Sequence, residues 1–291
     1  MPIPPRCPKL ETRQRQWRRP DTTRDKGTQM TAPALILLAD GAEEIRLLRK
    51  QMQIQRPELP VHLAFLDHCP PSGLQVISAL ASHGTREAVF VPMSLTQAVD
   101  AGQAAVDMFK LVRTTHPDMN LAMARPIGPA TELLNILDIR LRNALSSCHA
   151  LELDGLVLAT PDTGDVRGQS LIARRARQWS SHHRLPVAMA CVDGSGSSIA
   201  AAIGLLRDQG RRSIAVGSLF LTASDRFMAA AEQALAAGAL TVSAPLGADE
   251  RIIELVMSRY AFTTMDMLDD VPADEHLGDD VITSSPELIA L

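Results

Sequence analysis

The sequence predicts an α/β protein: two tandem, homologous, doubly wound parallel-sheet domains facing a cleft. Three observations carry this. The chain repeats itself, since "PVHLAFLDHCPPS" from Pro60 returns as "PVAMACVDGSGSS" from Pro186, and "VPMSLT" ending at Thr96 returns as "VGSLFLT" ending at Thr222. Both pairs are 126 residues apart, so a whole unit has been duplicated rather than a short peptide. Within each unit, short apolar runs without alternation are separated by amphipathic stretches, which is how a parallel sheet covered on both faces reads. Finally, the apolar fraction is 46% with few aromatics, which suits aliphatic packing of helices on strands.

Strands are expected at 34–39, 60–66, 87–92 and 120–124, and again at 155–160, 186–191, 213–218 and 240–243. In the first connecting helix, Ile45, Leu48 and Met52 lie on one stripe; Leu133, Leu134, Leu137, Leu141 and Leu145 do the same in the fourth. Two fainter echoes bracket the repeat: "LILLAD" from Leu35 with "LVLATP" from Leu156, and "RPIGPATELLNIL" from Arg125 with "APLGADERIIELV" from Ala244. The domains are therefore expected at 31–150 and 151–262.

The ends differ from this pattern. Residues 1–30 carry eight Arg or Lys, five Pro and no apolar run, so they are expected to be a disordered basic leader; Met30 leads straight into the first strand and is an alternative start of translation. Nucleic-acid binding is the sharper but less favoured reading of that leader. From Thr263 to Leu291 the chain has eight Asp or Glu and no Lys or Arg, an expected acidic flexible tail. The net charge of −4 is a compromise between these regions.

Several classes are excluded. Apolar stretches such as Ala34–Ala39 and Ile214–Leu221 fall far short of the roughly 20 residues of a membrane span. Cys7, Cys69, Cys148 and Cys191 have no short paired spacing, against both a disulfide framework and a structural zinc site, so the expected location is cytoplasmic. "DGSGSS" from Asp193 lacks the Lys of a phosphate-binding loop and the third glycine of a dinucleotide fingerprint, so no nucleotide is expected and a plain strand-to-helix turn is favoured. A two-lobed periplasmic-type binding protein would need an export signal, which is not found.

In an open α/β sheet, ligands bind beyond the carboxyl ends of the strands where strand order reverses. With order 2-1-3-4, the loop starting at Asp40 and Gly41 and the loop from Ser94 through Thr96 to Asp100 become neighbours, and Asp67 ends the adjoining strand. Carboxylates at strand ends can hold a divalent cation or accept protons. They can equally cap helices, and Asp40 and Asp67 both stand just before one. His68 is a further possible metal ligand, and Arg167, Arg174, Arg175, Arg177 and Arg184 with His182 and His183 make one helix basic, either a solvated face or a seat for a polyanion.

The repeated unit, on "VHLAFLDHCPPS", "AVFVPMSLTQAVDA" and "ARPIGPATELLNIL", resembles the sirohydrochlorin cobaltochelatase family, the small class II chelatases, in its doubled form. The likeness covers about 34–145 and, more faintly, 156–260. It implies a lyase that inserts Co²⁺ or Fe²⁺ into a tetrapyrrole in cobalamin or siroheme biosynthesis, without a nucleotide, as a monomer or weak homodimer. The family's first metal-binding histidine, in an Ala-His-Gly-Ser loop, falls at Asp40 within "LADGA", and the second at Asp100 within "LTQAVDA"; a Glu at the end of strand 2 falls at Asp67. The resemblance assigns Asp40 and Asp100 to catalysis, Asp40, Asp100 and Asp67 to the metal, and Gly41, Ser94 and Thr96 to substrate. Replacement of both imidazoles by carboxylates shifts preference toward harder ions. It also opens an alternative, a non-catalytic relative that binds metal, tetrapyrrole or a partner enzyme.

Overall fold

The computed structural model describes residues 32–40, 43–66, 69–150, 152–162, 164–194 and 196–269. The leader, Gly41, Asp67, His68 and the tail beyond Asp269 lie outside the described residues. The first half runs β1 (Ala34–Ala39), α1 (Glu43–Gln55), β2 (Val61–Phe65), α2 (Gly73–Ser82), β3 (Glu87–Pro92), α3 (Gln103–Thr115), β4 (Asn120–Met123) and α4 (Glu132–Ser147). The second repeats it with β5 (Gly155–Thr160), α5 (Val166–His183), β6 (Val187–Cys191), α6 (Ile199–Asp208), β7 (Ile214–Ser218), α7 (Asp225–Ala236), β8 (Thr241–Val242) and α8 (Glu250–Asp269).

Both sheets are wholly parallel, in the orders β2-β1-β3-β4 and β6-β5-β7-β8. Leu35 pairs with Val61 on one side and Val89 on the other; Leu156 pairs with Val187 and Ala215. Each central strand is thus buried on both faces, which is why Ala34–Ala39 and Gly155–Thr160 read as unbroken apolar runs. Helix starts follow the sequence too. Ser72 forms a capping box with Gln75 at α2, and its repeat counterpart Ser198 caps α6, so "DGSGSS" ends as the expected strand-to-helix turn.

The two faces of each sheet have different neighbours. Ala34, Ile36 and Leu38 point to an outer core under α2 and α3, and Val157 and Ala159 to one under α6 and α7. Leu35 and Leu37 share a central core with Leu156 and Leu158, filled by α1, α4, α5 and α8. The fourth helices are exchanged: α4 packs on β7 and β8 of the second sheet, and α8 on β3 and β4 of the first. Arg140 of α4 donates to the Leu246 carbonyl (2.9 Å), and Arg259 of α8, 119 residues later, donates to the Pro126 carbonyl (3.0 Å). The repeat thus persists as a reciprocal pair of inter-half contacts. Trp179 of α5 lies over Gly217 of β7, where a Cβ would come within 2.4 Å of the indole, so only glycine permits this approach.

Helix α8 runs on to Asp269, past the expected start of the acidic tail. Met267, seven residues after Tyr260 and on the same helical face, is buried in the central core, and the Tyr260 hydroxyl donates to the Pro33 carbonyl at 2.7 Å. Among the described residues, no helix is long and apolar enough to cross a membrane.

Candidate functional site

At the carboxyl ends of β1, β3, β5 and β7 a cleft of about 750 Å³ opens between the halves. Its polar lining comes from Asp40, Glu44, Ser94 and Thr96 on one side and from Asp162, Asp225 and Arg226 on the other; Met93, Leu95 and Phe220 contribute apolar surface. Among the described residues, four carboxylates face one guanidinium. Such a mouth attracts cations and opposes anions.

The lips are tied together by side chains that each reach across. Asp165 caps α5 by accepting the Gly168 N–H, and its other oxygen accepts the N–H groups of Ala98, Val99 and Asp100 at 3.0, 2.8 and 3.2 Å. Burial alone would push its carboxyl up; the four N–H donors outweigh that and hold it at about 2. In the opposite direction Glu44, at the start of α1, accepts the Ala223 N–H at 2.9 Å. Thr96, fully buried, donates its hydroxyl to Asp162, which also accepts the Gly164 N–H at 2.8 Å. The approach is so close that a Cβ on Gly168 would stand 2.0 Å from the Thr96 carbonyl oxygen.

Of the residues expected to matter, Asp40, Ser94 and Thr96 line this cleft. Asp40 is exposed at the end of β1, and the Ser94 hydroxyl is partly exposed, accepting the Gln97 N–H at 3.3 Å. Thr96 is turned to the Asp162 carboxylate, which makes it a strut between the lips. Asp100 is not among the lining residues; its side chain is exposed and its backbone N–H is held by Asp165. Gly41 and Asp67 are not described. In the basic helix, Arg167, Arg174 and Arg177 face solvent, while Arg175 turns inward to donate to the Pro129 carbonyl at 3.2 Å; burial, then the neighbouring Arg174, lowers its guanidinium pKa.

Sequence reasoning missed Glu44, Asp162, Asp165 and Asp225. The repeat places Pro161, not Asp162, opposite Asp40, so no alignment of the halves points to Asp162. The repeat also matches Asp193 to Asp67 and Arg226 to Asp100, and in the second half those two positions touch: Arg226 Nε stands 3.1 Å from an Asp193 oxygen. More than half of each side chain is exposed, so this ion pair contributes little stability. Its value is geometric, since it brings the loops after β6 and β7 together.

The CbiX family model matches residues 38–144. Among solved structures, SirB from Bacillus subtilis with Fe³⁺ has a TM-score of 0.65 at 14% identity, over 82% of this chain and 98% of that one. The sirohydrochlorin chelatase SirB from Bacillus subtilis subspecies spizizenii in complex with cobalt gives 0.61 at 13%, with the same shares. A multi-domain protein from Deinococcus radiodurans with structural similarity to chelatases gives 0.52 at 12%, over 79% of this chain and 55% of that one. No curated protein matches by sequence. The family model thus falls within the first half, and the two halves together share the fold of these solved structures.

Proposed function

We propose that the protein is a chelatase that receives a divalent metal in the cleft, with Asp40 as its principal ligand, and inserts it into a tetrapyrrole. The observation that carries this reading is the position of Asp40: it ends the central strand of the CbiX-like unit and lines a cleft whose lips are fixed by Asp165, Glu44 and Thr96. Insertion requires a metal held by few ligands, so that it can be released, and a base for the protons leaving the pyrrole nitrogens. Asp40 suits the first task. Asp67 and Asp100 are the proposed assistants in either task. Ser94 and Gly41 would meet the macrocycle. Cobalt or ferrous iron is the proposed metal, treated as a substrate, and no nucleotide is required.

One observation favours a second reading, in which the cleft binds metal and inserts nothing. Among the described lining residues the carboxylates outnumber the guanidinium of Arg226, which suits a cation and opposes a macrocycle bearing many carboxylates. The two readings separate in one experiment. Full-length protein is mixed anaerobically with sirohydrochlorin and Co²⁺ or Fe²⁺, and the shift in visible absorbance is followed against a metal-only blank. Insertion above the blank, abolished by Asp40→Ala, is the expected result for the chelatase; a rate equal to the blank, with metal still bound, selects the carrier.

A further inference from the structure

A second group of metal-ligating side chains lies away from the cleft, where α4 of the first half meets the last turn of α5 of the second. We propose that Asp138, His182 and His183 form a binding site for a zinc-class divalent ion that fastens the two halves together at this crossing. This site stands independently of the cleft and of what the cleft does. Helix α5 has 18 residues and begins at the cleft, so its end lies roughly 27 Å away along the helix.

The donor set is two imidazoles and one carboxylate, the borderline nitrogen and oxygen ligands that zinc takes and that magnesium or calcium do not favour. One ligand atom from each residue falls within a group no wider than 4.8 Å. His183 Nε2 is 2.8 Å from one Asp138 oxygen and His182 Nε2 is 4.0 Å from the other. Ligands about 2.0–2.1 Å from a tetrahedral ion stand roughly 3.3 Å apart, so to share one ion His183 draws back from Asp138 and the exposed His182 ring moves in.

The surroundings hold the ligands in place, as metal sites require. The buried Trp179 donates its indole N–H to Asp138 at 2.6 Å, fixing the carboxylate, and packs edge-on against the His183 ring at 5.7 Å. The His182 and His183 rings meet edge to face at 4.8 Å. Both histidines stand in the last turn of α5, where the unpaired carbonyls of the helix favour positive charge. Side-chain exposure rises from 15% at Asp138 through 29% at His183 to 70% at His182, so an ion can enter from solvent and keep a water as its fourth ligand.

Full-length protein stripped with a chelator is titrated with Zn²⁺ by calorimetry, with thermal unfolding recorded with and without the ion. The wild type is expected to bind an ion that His182→Ala and Asp138→Asn each weaken at least about tenfold and that Asp40→Ala leaves in place. Zinc is expected to raise the Tm of wild type and not that of His182→Ala. Because His182 is mostly exposed, its truncation leaves the fold intact even if Asp138→Asn does not. Wild-type zinc affinity in His182→Ala overturns the proposal. Loss of the ion in Asp40→Ala overturns it as well, by locating that ion in the cleft.

Discussion

Asp165 shows how one side chain can set the shape of a ligand cleft. A single carboxylate oxygen collects three consecutive backbone N–H groups from the loop after β3, while the other caps α5, so the loop that carries Ser94 and Asp100 is held by the opposite half. The consequence for pH follows from the direction of its shift. With a folded value of about 2 against an ordinary 3.8, Asp165 stabilises the fold fully above pH ~4, and that contribution is lost as pH falls through about 2. Allowing for solvent screening at a partly exposed group, it amounts to about 1–2 kcal/mol. Unfolding free energies from urea titrations of wild type and Asp165→Asn are expected to differ by that amount at pH 6 and to converge near pH 2. A constant difference across that range would show that the clasp is not electrostatic.

At the scale of elements, the strands and their order were legible because each central strand is an unbroken apolar run and each is copied at a fixed offset. What the sequence did not disclose is where α4 and α8 pack. Both are amphipathic, and an apolar stripe such as Leu133, Leu137 and Leu141 suits either sheet equally; only the three-dimensional arrangement sends α4 to β7 and α8 to β3. The end of α8 was hidden for a related reason: the acidic residues around Met267 mask a buried position at helical spacing. In the cleft, Asp40 was legible as a strand-end carboxylate. Asp162 and Glu44 were not, because their roles depend on the opposite half, and no local pattern marks a side chain for a partner more than 60 residues away.

The exchanged helices make two elements sensitive to small changes. Gly217→Ala places a methyl against Trp179 and is expected to cost about 1–3 kcal/mol in denaturant unfolding, since a well-packed interior resists added volume. Leu137→Ala, in the fully buried seam between α4 and the second sheet, is expected to cost about 2–5 kcal/mol. Both substitutions leave the cleft residues untouched, so metal binding at Asp40 should survive them in the folded protein.

For the whole molecule, the reciprocal packing of α4 and α8 means that neither half contains its own cover. The central core draws on both sheets, and residues 32–269 fall within one compact unit. Residues 32–150 produced alone would leave α4 without β7 and the first sheet without α8, exposing a large apolar surface. They are expected to self-associate through exchange of α4 or to stay unfolded, with a monomeric, compact species recovered on adding 151–291; sizing and circular dichroism read both outcomes. A well-folded monomer of 32–150 alone would show that the first half does not depend on α8 for its cover. The same interlock suits a fixed cleft, because the lips are joined to one another through the core as well as through Asp165, Glu44 and Thr96.

On this reading Asp40 holds a divalent metal in the cleft between the halves. This is tested most directly by anomalous diffraction at the cobalt edge from crystals of the full-length protein soaked with Co²⁺. The expected result is a peak about 2.0–2.6 Å from an Asp40 carboxylate oxygen, absent in Asp40→Ala crystals. A cleft without a peak, in crystals whose Asp138, His182 and His183 group is occupied, would contradict it.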